Sequence, residues 1–261
     1  MEKARVNTTA MQKGGVGKTT YVFNLAHGLA SKGYRILVVD NDPQGDLTQA
    51  MLGHDVSPQC HTIELYDNKK TTPQAIKENI HLIGADIELA LAQERSFEIM
   101  FDFADQIQRL KKKYDYILID SLPSFGTMHT ASLLAADTIT IPTKAAPFSL
   151  KAVKMLMETI NKVKRPRMNP QLEILGILIN YVEGSQTSLG RELEKTLRDH
   201  YGETIFKNKL TRTVKIEESP GFHESIMDYS PNSKAAEEFN LIVDEFLIRD
   251  KQAFERVTHY A

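Results

Sequence analysis

A run of glycines and lysines stands near the start of the chain and reads Lys13-Gly14-Gly15-Val16-Gly17-Lys18-Thr19-Thr20. In the common phosphate-binding loop, G-x-x-x-x-G-K-[ST], the glycines let backbone N–H groups face phosphate, the lysine reaches the β- and γ-phosphates, and the hydroxyl binds Mg²⁺. The second half of that pattern is present here, but Gln12 occupies the position of the first glycine. The run is therefore a variant phosphate loop with an additional lysine, and it requires a strand before it and a helix after it.

A strand and a helix are predicted on the two sides of this loop. Apolar residues recur at helical spacing through residues 18–32, and Gly33 stands where a left-handed cap ends many helices. Residues 6–11 are β-branched but polar for a buried parallel strand, and we place a strand there mainly because the loop needs one. The alternative is a surface turn rich in Gly and Lys, which would leave the following helix unexplained.

Composition limits the class of protein. With 261 residues, 41% of them hydrophobic, the chain can bury one substantial core, and we predict a single domain over residues 1–261. The one cysteine, Cys60, fits a reducing compartment. Residues 1–5 do not resemble a signal peptide, and no run reaches the ~18 apolar residues of a membrane helix, so we expect a cytoplasmic protein. Because the net charge is −2, any nucleic-acid surface must be a local patch.

Short apolar runs rich in β-branched residues alternate with helical patterns along the chain. The runs predict strands at residues 36–39, 81–83, 116–119, 138–141, 174–179 and, faintly, 204–206. The patterns predict helices at about 18–32, 88–113, 127–136, 149–163, 187–201 and 234–249, with little structure in 53–62 and 64–73. Such alternation implies an α/β fold: a doubly wound, mostly parallel sheet with helices on both faces.

Aspartates follow two of these predicted strands. Asp40 and Asp42 come after the second strand, and Asp120 follows a later one. An aspartate there is often only a turn residue, but ligands of such sheets bind beyond the carboxyl ends of the strands, next to the phosphate loop. We therefore predict a Mg²⁺ site formed by Thr19, with Asp40 and Asp120 acting through water. Asp42 is then free to orient or deprotonate the attacking water.

Three stretches of the sequence carry a family resemblance. They read K-G-G-V-G-K-T-T, V-V-D-N-D-P-Q-G-D-L-T and Y-D-Y-I-L-I-D-S-L-P-S. Together they resemble the ParA/Soj partition ATPases of the ParA/MinD superfamily, whose phosphate loop is the deviant Walker A motif. The resemblance continues through Ile141-Pro142 and the late segment, residues 209–220, and covers most of the chain from Met11 to about Ala236.

The resemblance implies an ATPase that binds ATP and Mg²⁺, forms a homodimer face to face around two nucleotides, and hydrolyses ATP slowly without a partner. The nucleotide would be held by the loop residues Lys13, Gly14, Gly15, Val16, Gly17, Lys18, Thr19 and Thr20. Catalysis would depend on Asp42 and on Lys13, which would enter the partner subunit's site as an arginine finger does. Asn180 stands where relatives place an adenine-reading amide, although Asn at a strand end is just as often a turn residue.

The sequence departs from the family pattern in three respects. Two prolines usually follow the third aspartate, where this chain has Ser121-Leu122-Pro123-Ser124, so the start of that switch loop is expected to move differently. Thr211 replaces the usual proline before the arginine of the late segment. No N-terminal helix-turn-helix domain is expected, so site-specific autorepression is not predicted.

Two basic clusters bear on the partners. One comprises Lys151, Lys154, Lys162, Lys164, Arg165 and Arg167, and the other Lys207, Lys209, Arg212 and Lys215. Solvated faces would explain both. The resemblance instead implies that Lys209, Arg212 and Lys215 of the dimer bind DNA non-specifically through phosphate contacts, which would place the ATP-bound protein on the nucleoid. It also implies a ParB-like adaptor, or another activator linked to a cargo such as a plasmid, a chromosome or a large protein complex.

Other classes of function remain open from the sequence. The MinD branch binds membranes through a C-terminal amphipathic helix, but residues 239–247 lie among acidic residues, so we expect that helix to pack on the sheet and expect no membrane partner. An electron-transfer ATPase related to nitrogenase reductase needs cysteines to bridge an iron–sulfur cluster, and only Cys60 is present. A metabolic kinase fits the phosphate loop but does not explain Lys13.

Overall fold

The computed structural model describes residues 4–182 and 187–259, with side chains as far as residue 257. The strands are β1 (Arg5–Thr9), β2 (Ile36–Asn41), β3 (Gln74–Lys77), β4 (Ile80–Ile83), β5 (Tyr116–Ser121), β6 (Thr138–Thr143) and β7 (Glu173–Ile179). The α-helices are α1 (Lys18–Ser31), α2 (Asp46–Leu52), α3 (Ile63–Tyr66), α4 (Ile99–Leu110), α5 (Thr127–Ala135), α6 (Ser149–Val163), α7 (Ser188–Tyr201), α8 (Val214–Glu218), α9 (Ile226–Tyr229) and α10 (Lys234–His259). Short 3₁₀ helices cover Ile87–Glu94, Gly202–Thr204 and Ser219–Phe222.

The strands form one sheet in the order β3-β4-β2-β5-β1-β6-β7, in which only the edge strand β3 is antiparallel to its neighbour. Successive residues of β2 enter two different cores: Leu37 packs on the side of α4, α5 and α6, and Val38 packs on the side of α1 and α10. Helices therefore cover both faces. The predicted doubly wound, mostly parallel α/β sheet is confirmed.

Strand β1 is buried although its residues are polar. It lies between β5 and β6 in the middle of the sheet, and Asn7, Thr8 and Thr9 have almost no exposed surface. The Asn7 amide donates to Thr138 Oγ1 at 2.9 Å and accepts from Thr140 Oγ1 at 3.2 Å. Cross-strand hydrogen bonds to β6 thus offset the cost of burying this amide.

The predicted helix over residues 88–113 is wrong as a single element. A 3₁₀ helix covers Ile87–Glu94, and α4 begins only at Ile99. In the first piece the buried residues, Leu89 and Ala92, are three apart, which matches the three-residue turn of a 3₁₀ helix. The apolar pattern alone did not distinguish that period from 3.6.

Further elements differ from the sequence prediction. Helices α2, α3, α8 and α9 and edge strand β3 were not predicted, and α3 lies partly in residues 64–73, where little structure was expected. Residues 204–206 form only one bridge, between Ile205 and Ile177, after a 3₁₀ turn. Helix α10 extends ten residues beyond the predicted end at 249. Its extension is held by packing, because Ala253 is buried and the Arg5 guanidinium lies 5.0 Å from the centroid of the Phe254 ring.

The apolar side of α10 packs against the body of the protein, as predicted. Phe239, Val243 and Phe246 are fully buried in the core that also contains α1. Gly28 of α1 permits this approach, since a Cβ there would lie 2.6 Å from Val243 Cγ2. None of the described helices combines the length and apolar character of a membrane-spanning segment.

Candidate nucleotide site

The carboxyl ends of β1, β2 and β5 meet at one edge of the sheet, and the phosphate loop follows β1 there. Asp120 pairs in register with both Thr9 and Asp40. The sequence predicted aspartates beyond the ends of strands, whereas Asp40 and Asp120 are still part of β2 and β5. Their carboxylates are consequently held by the sheet rather than by a loop.

The loop has the backbone conformation that an anion cradle requires. Gly15 has φ +66° and Gly17 has φ +84°, in the left-handed region that glycine adopts without strain. A Cβ on Gly17 would also collide with the Asn180 amide and lie 2.6 Å from the Tyr181 ring. Helix α1 begins at Lys18 without a side-chain cap, so its first N–H groups remain available to an anion.

Two lysines of this loop form no ion pair with any residue that the structure describes. Lys18 is buried, with 8% of its surface exposed, and Lys13 is half-buried. Burial of an ammonium group that has no ion-pair partner at contact distance is unfavourable, so the folded loop keeps a lysine available for an anionic ligand. Lys18 lies within electrostatic reach of Asp120 and Asp46.

Thr19 and Asp120 are brought together as predicted. The Thr19 hydroxyl donates to Asp120 Oδ2 at 2.7 Å, while the buried Asp120 Oδ1 has no hydrogen-bond partner among the described atoms. A hydroxyl beside a carboxylate with one free acceptor suits Mg²⁺, which binds oxygen ligands and retains several waters. Thr19 and Asp120 are the residues that would hold such a metal, and this assignment stays a prediction.

Asp40 has protein partners for both of its carboxylate oxygens. Asp40 Oδ2 accepts from the Thr48 N–H at 2.9 Å and from the Thr48 hydroxyl at 2.7 Å, and Oδ1 accepts from the Asp42 N–H at 3.2 Å. Asp40 therefore organises the loop between β2 and α2, a role that the sequence did not indicate. Its water-mediated contact with a metal stays a prediction.

Asp42 lies at the same edge of the sheet, half-buried, directly after β2. Its Oδ1 accepts from the Gln44 N–H at 3.0 Å, and its carbonyl accepts from the Gly45 N–H at 2.9 Å. The turn thereby fixes the carboxylate on the side of Asp120, whose pKa it helps to raise. Asp42 is thus placed near the Thr19–Asp120 pair, and its Oδ2 accepts no hydrogen bond from the described residues.

Burial, together with the negative charge of Asp40, raises the pKa of Asp120 to about 8, against the opposing effect of Lys18 and of the Thr19 hydrogen bond. Burial also raises the pKa of Asp40 to about 7, although the Thr48 and Asp42 hydrogen bonds lower it. Two adjacent carboxyl groups that resist ionisation indicate a site built to receive a cation.

We expect Asp120→Asn to stabilise the nucleotide-free protein at alkaline pH. The pKa of Asp120 is higher in the folded protein than in the unfolded chain, so folding favours the protonated carboxyl. The contribution of Asp120 to the free energy of unfolding is therefore fully present below its ordinary pKa of 3.8 and is lost as the pH rises to about 8. At pH 8 the Asp120→Asn variant, which lacks this ionised and buried carboxylate, should have a free energy of unfolding ~2 kcal/mol higher than wild type, or a melting temperature roughly 4–8 °C higher. Thermal unfolding between pH 5 and pH 8 should therefore show a flatter profile for this variant than for wild type or for Asp105→Asn, a change at an exposed site on α4; parallel profiles would contradict the assignment.

Asn180 contacts the phosphate loop directly. Its Nδ2 donates to the Val16 carbonyl at 3.0 Å, and its Oδ1 accepts from the Tyr181 N–H at 3.1 Å. In this structure the amide therefore supports the loop, and its predicted contact with adenine is untested. Tyr181 was missed by sequence reasoning: its hydroxyl lies 2.9 Å from Thr20 Oγ1, and the Lys144 ammonium lies 4.8 Å from its ring centroid.

Two of the three departures from the family pattern have local explanations. The Ser121 hydroxyl donates to the Thr9 carbonyl at 2.9 Å, and Leu122 packs into the core, so this stretch is anchored without a second proline. Thr211 donates to Glu238 through its N–H at 2.7 Å and its hydroxyl at 2.8 Å. A proline at that position would have neither donor.

The three predicted DNA-binding residues lie in the late segment, but their charges are partly compensated. The Lys209 ammonium donates to Glu194 Oε2 at 2.8 Å, and Arg212 Nε donates to Glu217 Oε1 at 2.9 Å. Lys215 Nζ donates to Ser230 Oγ at 2.9 Å. A polyanion at this surface would have to compete with two carboxylates.

Comparison with known proteins places this geometry in a family. The model of the AAA domain family matches residues 4–174. The chromosome-partitioning ATPase Soj of Thermus thermophilus is 33% identical over 97% of this chain and 100% of its own length. McdA of Cyanothece, a variant in complex with ATP, superimposes with a TM-score of 0.84 at 22% identity, covering 95% of this chain and 97% of that one. Cobyrinic acid a,c-diamide synthase of Mycobacterium smegmatis, with an ATP analogue and magnesium, gives a TM-score of 0.80 at 26% identity, covering 95% and 96%.

The fold is thus shared with proteins of different activity, and the sequence identity decides between them. Soj is similar over nearly the whole of this chain. Because a relative at this level of identity matches from end to end and carries the same kind of activity as the loop suggests, the chain belongs to the ParA/Soj family of partition ATPases within the ParA/MinD superfamily.

Proposed function

We propose that this protein is a Mg²⁺-dependent ATPase that dimerises around two ATP molecules, binds DNA non-specifically in that state, and positions a cargo with a partner that stimulates hydrolysis. Soj of T. thermophilus, a chromosome-partitioning ATPase, and the nucleotide complexes of McdA and of the M. smegmatis enzyme support this reading. The bound protein would be found on the nucleoid.

Lys13 is the observation that carries the proposal. A phosphate loop that acts alone needs one lysine, which here is Lys18, buried at the start of α1. The half-buried Lys13 forms no ion pair with a described residue, and it precedes the two exposed residues Gly14 and Gly15 at the outer side of the loop. An ammonium group held at that surface is suited to a phosphate in a second, facing subunit.

The remaining residues divide the steps of hydrolysis. Lys18 and the N–H groups at the start of α1 bind the β- and γ-phosphates, and Thr19 with Asp120 holds the metal. Mg²⁺, when bound, neutralises charge on the phosphates and so lowers the barrier to transfer. Asp42 orients the attacking water and accepts its proton, and Lys13 of the facing subunit stabilises the charge that develops on the transferred group.

Dimerisation would link the bound nucleotide to DNA binding and to the positioning of the cargo. Formation of the dimer would require ATP in both sites, since two loops with uncompensated lysines repel each other until phosphates lie between them. Hydrolysis removes that bridge and releases the subunits. A partner that completes the catalytic site would speed hydrolysis and so shorten the lifetime of the dimer. A ParB-like adaptor or another cargo-linked activator is expected to act in this way.

A membrane-associated positioning ATPase of the MinD type is the alternative. The burial of Phe239, Val243 and Phe246 speaks against it, because the apolar side of α10 is already occupied by α1 and the sheet. Binding to DNA or to anionic liposomes in the presence of ATP distinguishes the partition ATPase from the membrane-associated one.

Asp42→Ala is expected to bind ATP, accumulate as a dimer and hydrolyse at least ~100-fold more slowly, because a positioned general base contributes about that much or more. It should bind unrelated DNA duplexes with ATP and release them without it. Asp105→Ala, which also removes one carboxylate but on the exposed side of α4, is the matched control. If Asp42→Ala hydrolysed ATP at the normal rate, another residue would position the attacking water, and Asp40 would be tested first. Equal DNA binding with and without nucleotide, or avid binding to anionic liposomes instead of DNA, would contradict the proposal.

A further inference from the structure

One exposed cationic surface has no role in the site described above. Helix α6 buries one side, with Val153, Leu156 and Ile160 in the core, and exposes the opposite side. We propose that this opposite side is a DNA-binding surface, which we name the α6 stripe; it consists of Lys151, Lys154 and Lys162 on the helix and Arg165 and Arg167 in the turn that follows. This inference rests on the proposed function and deepens it by locating the DNA contact.

The cations of the α6 stripe share one side of the helix. At 100° per residue, Lys151, Lys154 and Lys162 fall within about 80° of one another around the helix axis. All three are exposed, as are Arg165 and Arg167 directly beyond the helix end. The sequence spacing thus produces a continuous basic strip rather than a ring of charges.

The stripe is almost free of opposing charge. Its five cations form no ion pair with any side chain between residues 4 and 182 or between 187 and 257, and Glu158 is the one acidic residue on the same side of α6. By contrast, Lys164, which turns toward β7, is bonded to Glu173 at 3.0 Å. In a chain of net charge −2, uncompensated positive charge concentrated on one helix is the local patch that a polyanion requires.

The dimensions favour a duplex. From Lys151 to Lys162 the helix rises about 17 Å, a length over which double-stranded DNA carries about ten phosphate charges. Lysine and arginine side chains of this length reach phosphates without entering a groove, which gives affinity without sequence preference. The stripe therefore fits non-specific contact with the DNA backbone.

Other anionic partners fit less well. Met155 is the one bulky apolar side chain exposed within the stripe, so α6 has no apolar face to insert into a membrane. Between residues 149 and 167 there is no aromatic anchor of the kind on which protein interfaces usually depend; the exposed Phe148, at the N-cap of α6, lies outside the stripe.

The late segment is the competing surface, and it differs in both charge and position. Lys209 and Arg212 are bonded to Glu194 and Glu217, so phosphate contacts there would first break ion pairs. Leu210 of the late segment packs into the core on the α1 side of the sheet, whereas Val153 of α6 packs into the core on the other side. The two surfaces can therefore be tested separately.

The test is a set of three charge-matched variants of the full chain, measured with ATP against a duplex of arbitrary sequence over a salt series. The stripe variant is Lys154→Gln, Lys162→Gln, Arg165→Gln; the late-segment variant is Lys209→Gln, Arg212→Gln, Lys215→Gln. The control variant, Lys112→Gln, Lys113→Gln, Lys251→Gln, removes the same net charge from exposed lysines elsewhere. ATP binding and dimerisation are also measured for each variant. Both should match wild type, because none of these residues lies in the nucleotide site.

We expect the stripe variant to flatten the slope of log affinity against log salt by about 2.7 for each protomer that contacts the duplex, and to lose at least about tenfold in affinity at moderate salt. The control should bind as wild type does. If wild type binds the duplex and the stripe variant matches the control while the late-segment variant loses binding, the stripe assignment is wrong and the proposed function stands. If ATP-loaded wild type does not bind DNA at all, both fail. Stripe-dependent binding to phosphatidylglycerol vesicles, or displacement by polyglutamate in preference to DNA, would also overturn the assignment.

Discussion

Lys13→Ala is expected to reduce ATP hydrolysis by about 10³-fold, because a cation supplied from the facing subunit to the transferred phosphoryl group contributes at least that much in related reactions. The affinity of the monomer for ATP should change little, since Lys18 and the start of α1 hold the phosphates. The two effects are separated by equilibrium ATP binding and by single-turnover hydrolysis.

The control for this prediction is Lys112→Ala, which removes an exposed lysine far from the loop in sequence and outside the site. If Lys13→Ala lost ATP affinity and kept its turnover at saturating ATP, Lys13 would be an ordinary ligand of its own nucleotide. The loop would then be a phosphate-binding loop with an additional lysine that does not act across a dimer.

Lys18→Ala is expected to abolish nucleotide binding at working concentrations. Lys18 is buried at the start of α1, where it would form charge-assisted hydrogen bonds to phosphate, and their loss should cost ~3 kcal/mol, or about 100-fold in affinity. Calorimetric titration with ATP measures the loss, and far-ultraviolet circular dichroism shows whether the fold is retained. Undiminished binding by a folded variant would contradict the assignment of the phosphate loop.

The fold and the centre of the site were predictable because their signals are local. Continuous apolar runs indicate buried parallel strands, and a loop motif fixes which side chains face the phosphates within a few residues. Thr19 and Asp120, 101 residues apart, were paired correctly because the carboxyl ends of parallel strands share one edge of the sheet.

The residues that support the site were not predictable in the same way. Thr48 holds Asp40 from α2, a seven-residue helix whose entry at Gly45 has no side-chain cap and therefore no capping signal in the sequence. Tyr181 reaches Thr20 across 161 residues through a contact that no spacing rule describes. The charge of the late segment was overestimated for a similar reason, since Glu194 is brought to Lys209 by tertiary packing.

The central claim is that Lys13 of one subunit acts on the nucleotide of the other, and mixing two inactive variants tests it most directly. Lys13→Ala and Asp42→Ala protein, both expected to bind ATP, are combined in equal amounts before ATP is added, and mixed dimers are confirmed by cross-linking. Each mixed dimer would contain one site with its own Asp42 and with Lys13 from the other subunit.

If Lys13 acts across the dimer, the mixture should recover about one quarter of the wild-type rate, because random pairing gives half mixed dimers with one complete site in each. If Lys13 acts within its own subunit, no site in a mixed dimer is complete. Mixed dimers that form and hydrolyse ATP no faster than the two variants do alone would contradict the account.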